Sequence, residues 1–119
     1  MNTIEEELRK NGISNICLIN DRAKNAIATY VASSLCNRFP ELRLNFNTIG
    51  ISITRLTMYI ADMEQSSVGA SYFYKNSSIY FKRGLLFEKI KKLAVHECIH
   101  HFQEIKDAKG ELHRLGLCS

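Results

Sequence analysis

The chain has 119 residues and a net charge of +4, and 45% of its residues are hydrophobic and 24% charged. This length suits one domain that buries its own core without a metal or a disulfide as a staple. No apolar stretch reaches the length of a membrane span, and the acidic run Glu5-Glu6-Glu7 does not fit the start of a secretory signal. The sequence therefore predicts one domain over residues 1–119 of a cytoplasmic protein, unless a targeting segment has been removed.

The cysteines and the basic residues predict neither a disulfide framework nor a nucleic-acid partner. The cysteines show no CxxC spacing, and we expect them to be reduced and mostly buried. They are Cys17, Cys36, Cys98 and Cys118. One local group of basic residues is typical of a solvated helix face, because a nucleic-acid site would need aromatic or motif support. This group comprises Lys82, Arg83, Lys89, Lys91 and Lys92.

The first third of the chain predicts two helices with a connector between them. Residues 3–11 make a short charged helix, and residues 13–19 form a strand or a buried connector. Asp21 is a good N-cap for a helix from Arg22 to about Asn37, which Pro40 stops. We expect this longer helix to pack behind a sheet.

The middle of the chain predicts β-structure. Apolar residues from Ile49 to Met63 mostly alternate or form short runs, which favours strands. A hairpin follows, with a β-rich run over Ala70–Tyr74, a turn over Lys75–Ser78 and a second run over Ile79–Phe81. The aromatic residues of this hairpin are most simply explained by sheet packing.

A long amphipathic helix is predicted after Gly84, from about Leu85 to Asp107. Its apolar half comprises Phe87, Ile90, Leu93, Ala94, Val95, Cys98, Phe102 and Ile105. His96, Glu97 and His100 fall together at one margin of that half, where a helix packed on a core would border a cleft. The solvated side holds Glu88, Lys92, Gln103 and Lys106. Together the elements predict an α+β fold, in which a small mixed or antiparallel sheet has a backing helix and this second helix across one face.

The segment His96-Glu97-Cys98-Ile99-His100 is an HExxH motif. Two imidazoles four residues apart lie one helical turn apart on the same face, so both can reach one metal ion. The carboxylate between them can then act on a metal-activated water. His101 turns toward the apolar side of the helix, and we expect a hydrogen-bonded core histidine there rather than a ligand.

A hairpin followed by an HExxH helix resembles zincin-type zinc metallopeptidases, and within them the gluzincin group. In thermolysin-like members an Ala-aromatic edge strand, a short turn and a strand ending in an aromatic precede the motif, as Ala70 to Tyr80 precede His96 here. The small ImmA/IrrE-like proteases have a similar layout. The resemblance covers roughly residues 52–107, and its HExxH motif is more specific than its hairpin.

The resemblance implies a role for each matching residue. His96 and His100 would bind Zn²⁺ through neutral imidazoles, and Glu97 would be the general base. The edge strand, with Ala70, Ser71 and Tyr72, would bind an extended peptide or protein substrate through backbone hydrogen bonds.

The third protein ligand of a catalytic zinc does not follow from the motif. Gln103 and Lys106 replace the glycine and histidine of the metzincin extension, which excludes that subfamily. Three alternatives remain. The chain is the N-terminal part of a longer protein whose later helix carries a ligating glutamate, as the resemblance to gluzincins implies; or His113, Glu111 or Cys118 completes the site; or the domain is a degenerate zincin that binds metal poorly.

These observations favour a zinc-dependent metallopeptidase-like domain that hydrolyses peptide bonds through a metal-activated water. The chain alone is expected to be a weak or inactive peptidase, because only two ligands are secure. The alternative function is a degenerate zincin-fold module that binds a protein partner without catalysis.

Overall fold

The structure is a computed structural model that describes residues 3–40, 43–64 and 69–106, with side chains described as far as His101. In these residues a four-stranded mixed sheet combines with four α-helices, which confirms the α+β class. The elements in chain order are α1 (Ile4–Lys10), β1 (Ile13–Leu18), α2 (Asp21–Arg38), α3 (Phe46–Thr54), β2 (Thr57–Met63), β3 (Ala70–Phe73), β4 (Ser78–Lys82) and α4 (Phe87–Lys106).

The strands of the sheet lie in the order β1-β2-β4-β3. β1 pairs with β2 in antiparallel fashion, β2 with β4 in parallel fashion, and β3 with β4 in antiparallel fashion. The predicted hairpin is therefore confirmed, with Ala70 opposite Phe81 and Phe73 opposite Ser78. Its turn is a short 3-10 segment, Tyr74–Asn76, closed by Ser77 in the left-handed conformation. Within the described residues β1 and β3 are the outer strands.

Side chains of the two central strands alternate between two cores, because successive residues of a strand point to opposite faces. On one face Met58, Ile79 and Phe81 pack with α2, α3 and α4. On the other face Ala61 and Tyr80 pack with Leu8 of α1 and Ile13 of β1. Both faces are covered by helices, so β4 is buried at four consecutive positions.

The long helix α2 backs the sheet as predicted. Its residues Ile27, Val31 and Leu35 recur at helical spacing and are fully buried in the larger core. The N-cap is Asn20 rather than Asp21, since Asn20 Oδ1 accepts the Ala23 N–H at 2.8 Å. Asparagine caps as well as aspartate does, so composition alone could not separate the two neighbours.

The prediction of β-structure from Ile49 onward is wrong for its first part, because Phe46–Thr54 form α3 and only Thr57–Met63 form a strand. Asn45 caps this helix, its Oδ1 accepting the Thr48 N–H at 2.8 Å. Ile49 and Ile53 pack on the larger core while Ile51 is 56% exposed. The spacing of 49 and 53 fits a helical turn as well as a strand, and packing against α2 decided between them.

Two expectations about single side chains also need correction. Cys17 is exposed and Cys36 half-buried, so among the described cysteines only Cys98 is fully buried. Cys17 lies on β1, where every residue after Ile13 is exposed. Lys91 is not a solvated basic residue: its Nζ lies 2.9 Å from Glu88 and above the rings of Tyr30 and Phe87. Cys118 lies outside the described residues.

Among the helices of the described residues, none has the length and apolar character that crossing a bilayer requires.

Candidate metal centre

Helix α4 places the HExxH motif at the border between core and solvent. Ile90, Ala94 and Cys98 are buried on its inner side, whereas His96 and His100 are exposed. The helix begins at Phe87, two residues later than predicted. Phe87 itself is 41% exposed, contrary to its assignment to the apolar half, and it is the first residue of the helix. The side chains of residues 102–106 lie outside the described part.

The two histidines of the motif converge on one point. His96 Nε2 and His100 Nε2 are 3.1 Å apart, and their rings are nearly perpendicular, with centroids 4.7 Å apart. A tetrahedral zinc with Zn–N bonds of about 2.0–2.1 Å holds two nitrogens roughly 3.3 Å apart. The separation of 3.1 Å is compatible with two ligands of one metal ion, and it is equally the distance of a hydrogen bond between the two rings.

Glu97 lies beside the pair but points inward. Ligand atoms of His96, Glu97 and His100 all lie within 4.8 Å of one another, and the Glu97 side chain is only 6% exposed. Burial raises the pKa of Glu97 above its ordinary value, and the charges of His96 and His100 partly oppose this rise. A carboxyl group shifted in this direction is better matched to proton transfer near neutral pH.

The residues next to the motif on the inner side have other roles. His101 is 5% exposed, and its Nδ1 lies 2.9 Å from the Tyr72 hydroxyl, which confirms a hydrogen-bonded core histidine. Burial lowers the pKa of His101 and keeps its ring neutral. Cys98 is fully buried in the larger core and lies outside the cluster of His96, Glu97 and His100. Burial and then the neighbouring Glu97 raise the pKa of its thiol to about 12.

A cleft of about 480 Å³ borders the motif. Its floor is the hairpin from Ala70 to Lys75, and Glu97 and His100 line one wall. The three residues predicted to contact substrate all line it: Ala70 is buried, and Ser71 and Tyr72 are half-buried. The structure thus brings the predicted edge strand to the same cleft as Glu97 and one of the two predicted metal ligands, His100; the other, His96, does not line it.

The opposite wall of the cleft was not anticipated from the sequence. Glu7 and Asn11 of the N-terminal region line it, and Lys75 Nζ lies 3.1 Å from Glu7 Oε1. No local pattern links α1 to the hairpin, which are far apart in sequence. Leu8 packs in the smaller core, so an apolar residue in the charged helix α1 indicates that this helix packs on the sheet. A single apolar residue does not indicate which strand α1 borders.

The proposed third ligands Glu111, His113 and Cys118 lie outside the described residues. Among the residues that the structure describes, His96, Glu97 and His100 form the one cluster of histidine, cysteine or acidic side chains close enough to share a metal ion.

A scan against protein-family models and searches of curated proteins and of solved structures found no match for this chain.

Proposed function

We propose that the chain is a zinc-dependent, zincin-like peptidase domain in which His96 and His100 hold the metal and Glu97 moves the proton. The observation that carries this proposal is the convergence of two imidazole nitrogens, 3.1 Å apart, beside a buried carboxyl group in a cleft. A bound zinc would supply Lewis-acid polarisation of a peptide carbonyl and an activated water. A third ligand from Glu111, His113, Cys118 or a longer chain remains a prediction.

Glu97 has the placement and the environment of a proton shuttle. Its carboxylate accepts a proton from the attacking water on one oxygen and delivers it to the leaving amine nitrogen. Glu97 is buried, whereas His96 and His100 are exposed. Packing of the core therefore fixes the position of the carboxyl group that would transfer the proton.

The outer strand β3 suits an extended peptide. Among the described strands β3 pairs with β4 alone, and its residues Ala70, Ser71, Tyr72 and Phe73 line the cleft. A peptide that pairs with this edge runs past Glu97 and His100. This edge also supports the second candidate, a module that binds a protein segment by strand addition and does not cleave it.

The test is zinc-dependent cleavage of a quenched fluorescent peptide library. Removal of metal with a chelator should abolish cleavage, added Zn²⁺ should restore it, and the His96→Ala, His100→Ala double variant should stay inactive at every zinc concentration. Peptide binding without any turnover in the full-length natural protein would favour the binding module over the peptidase.

A further inference from the structure

The edge strand β3 touches helix α4 at two points that lie on either side of Glu97. At one point Gly69, just before the strand, approaches α4 so closely that a Cβ there would lie 3.3 Å from Leu93 Cδ1. At the other, the Tyr72 hydroxyl meets His101 Nδ1 at 2.9 Å. Leu93 is four residues before Glu97 and His101 is four residues after it, so all three share one face of the helix.

The distance between the two contacts is similar along the helix α4 and along the strand β3. From Leu93 to His101 the helix rises about 12 Å at 1.5 Å per residue. From Gly69 to Tyr72 an extended strand covers about 10 Å at roughly 3.3 Å per residue. β3 therefore runs along α4 in the same direction, and the motif residue Glu97 lies between the two attachments. The strand and the helix form the floor and one wall of the cleft.

The second contact is the polar one, and both its partners are well placed to hold it. His101 is 5% exposed, and its ring packs edge-on against the Tyr72 ring, with centroids 5.5 Å apart. β3 has four residues, and among the described strands it has one neighbour, β4, whereas β2 and β4 each have two. Attachment to α4 supplies the constraint that a second neighbouring strand would give.

We infer that Tyr72 and His101 are positioning residues, whose hydrogen bond holds the edge strand at a fixed separation from Glu97 and so sets the width of the peptide cleft. This inference rests on the proposed peptidase function. It assigns Tyr72 no contact with the reacting atoms: Tyr72 lines the cleft beside the motif, and its hydroxyl group lies 2.9 Å from His101 Nδ1.

The experiment compares Tyr72→Phe, His101→Phe and the double variant, with Tyr59→Phe as the matched control. Tyr59 stacks on Tyr80 on the other face of the sheet and does not line the cleft, so its variant removes a hydroxyl without touching the attachment. Cleavage of the quenched peptide library, Co²⁺ affinity and hydrogen exchange over residues 70–73 are measured for each protein.

A positioning pair predicts a rise in KM of about 2- to 10-fold for each single variant, the size expected for one hydrogen bond. kcat and Co²⁺ affinity should stay near the parent values, and the double variant should be no worse than either single variant. Exchange over residues 70–73 should quicken in all three variants and not in Tyr59→Phe. A fall in kcat with unchanged KM for Tyr72→Phe alone would make Tyr72 a direct participant and overturn the inference.

Failure of the proposed function has a different signature. If the full-length natural protein neither binds nor cleaves any library peptide, the peptidase proposal fails, while the attachment of β3 is still judged by hydrogen exchange. Unchanged exchange over residues 70–73 in both single variants would overturn the attachment whatever the activity of the parent.

Discussion

β1 and β3, the outer strands among those that the structure describes, differ in regularity. β1 is irregular: its register with β2 shifts between Ser14 and Cys17, and Asn15 adopts a left-handed conformation with φ 50°. Arg83 donates to the Asn15 carbonyl at 2.6 Å. The Asp62 carboxylate accepts hydrogen bonds from the side-chain amide of Asn15 and from Arg83 Nε. β3 keeps a regular register with β4 over all four of its residues and borders the cleft.

The difference indicates which edge can accept another chain. On β1 the row of backbone groups is interrupted by a bulge and by the Asn15 carbonyl, which already accepts a hydrogen bond from Arg83. Natural sheets use such irregularities to discourage pairing with another strand. A regular edge beside buried Glu97 and the histidine pair instead favours pairing next to the reactive groups. We therefore expect substitutions around β3 to change peptide processing, and substitutions around β1 to change stability alone.

Glu97→Gln should have the largest effect on the β3 side. The amide keeps the shape of the side chain but cannot take a proton, so cleavage should slow by about 10²- to 10⁴-fold while folding and metal affinity persist. Glu88→Gln, the same change at an exposed position two turns earlier, should cleave as the parent does. Equal rates for Glu97→Gln and the parent, measured with the peptide library, would remove Glu97 from the mechanism.

Gly69→Ala should have an intermediate effect, and Gly84→Ala is its matched control. Both glycines have positive φ, 91° and 93°, so alanine at either site should destabilise the fold by about 1–2 kcal/mol in urea unfolding. Gly84 has open space around a new Cβ, whereas at Gly69 the Cβ would lie 3.0 Å from Leu85 Cδ1 and 3.3 Å from Leu93 Cδ1.

The Gly69 variant should therefore lose up to roughly 1 kcal/mol more than the Gly84 variant, because the ends of the Leu85 and Leu93 side chains must shift by a few tenths of an ångström. It alone should also raise the KM for peptide. If the two variants unfold at the same urea concentration and process peptide equally, the close approach of β3 to α4 has no energetic consequence.

Asp62→Asn should have the smallest effect, on the β1 side. Hydrogen bonds from Asn15 and then Arg83 lower the pKa of Asp62 below 3.8, so the ionised carboxylate favours the folded state above that pH. This contribution is lost as the pH falls through the folded-state pKa. The parent should thus lose stability more steeply than Asp62→Asn in thermal melts between about pH 5 and pH 3. Peptide cleavage should be the same in both, and an altered KM would contradict the separation of the two edges.

Much of the fold and of the candidate site could be predicted from local patterns. The hairpin was predictable because two β-rich runs flank a polar turn, and α4 because its apolar residues recur over five turns. The convergence of His96 and His100 follows from helix geometry alone, since residues four apart always lie on the same face. These features depend on neighbours in sequence.

The errors fall where distant residues decide the outcome. Ile49, Ile51 and Ile53 satisfy a strand pattern, but packing on α2 makes them part of a helix. The wall that Glu7 and Asn11 contribute to the cleft depends on how α1 lies under the sheet, which no spacing records. The link between Tyr72 and His101 joins residues 29 positions apart, and neither residue signals the other.

Calorimetric titration with Zn²⁺ tests the central claim most directly, because it asks whether His96 and His100 hold a metal ion regardless of substrate. The parent protein should bind one zinc per chain, and the His96→Ala, His100→Ala double variant should lose that binding while it keeps its fold by circular dichroism. Glu97→Gln should bind zinc as the parent does, since the carboxyl group is assigned to proton transfer. Equal zinc affinity in the parent and the double variant would contradict the account.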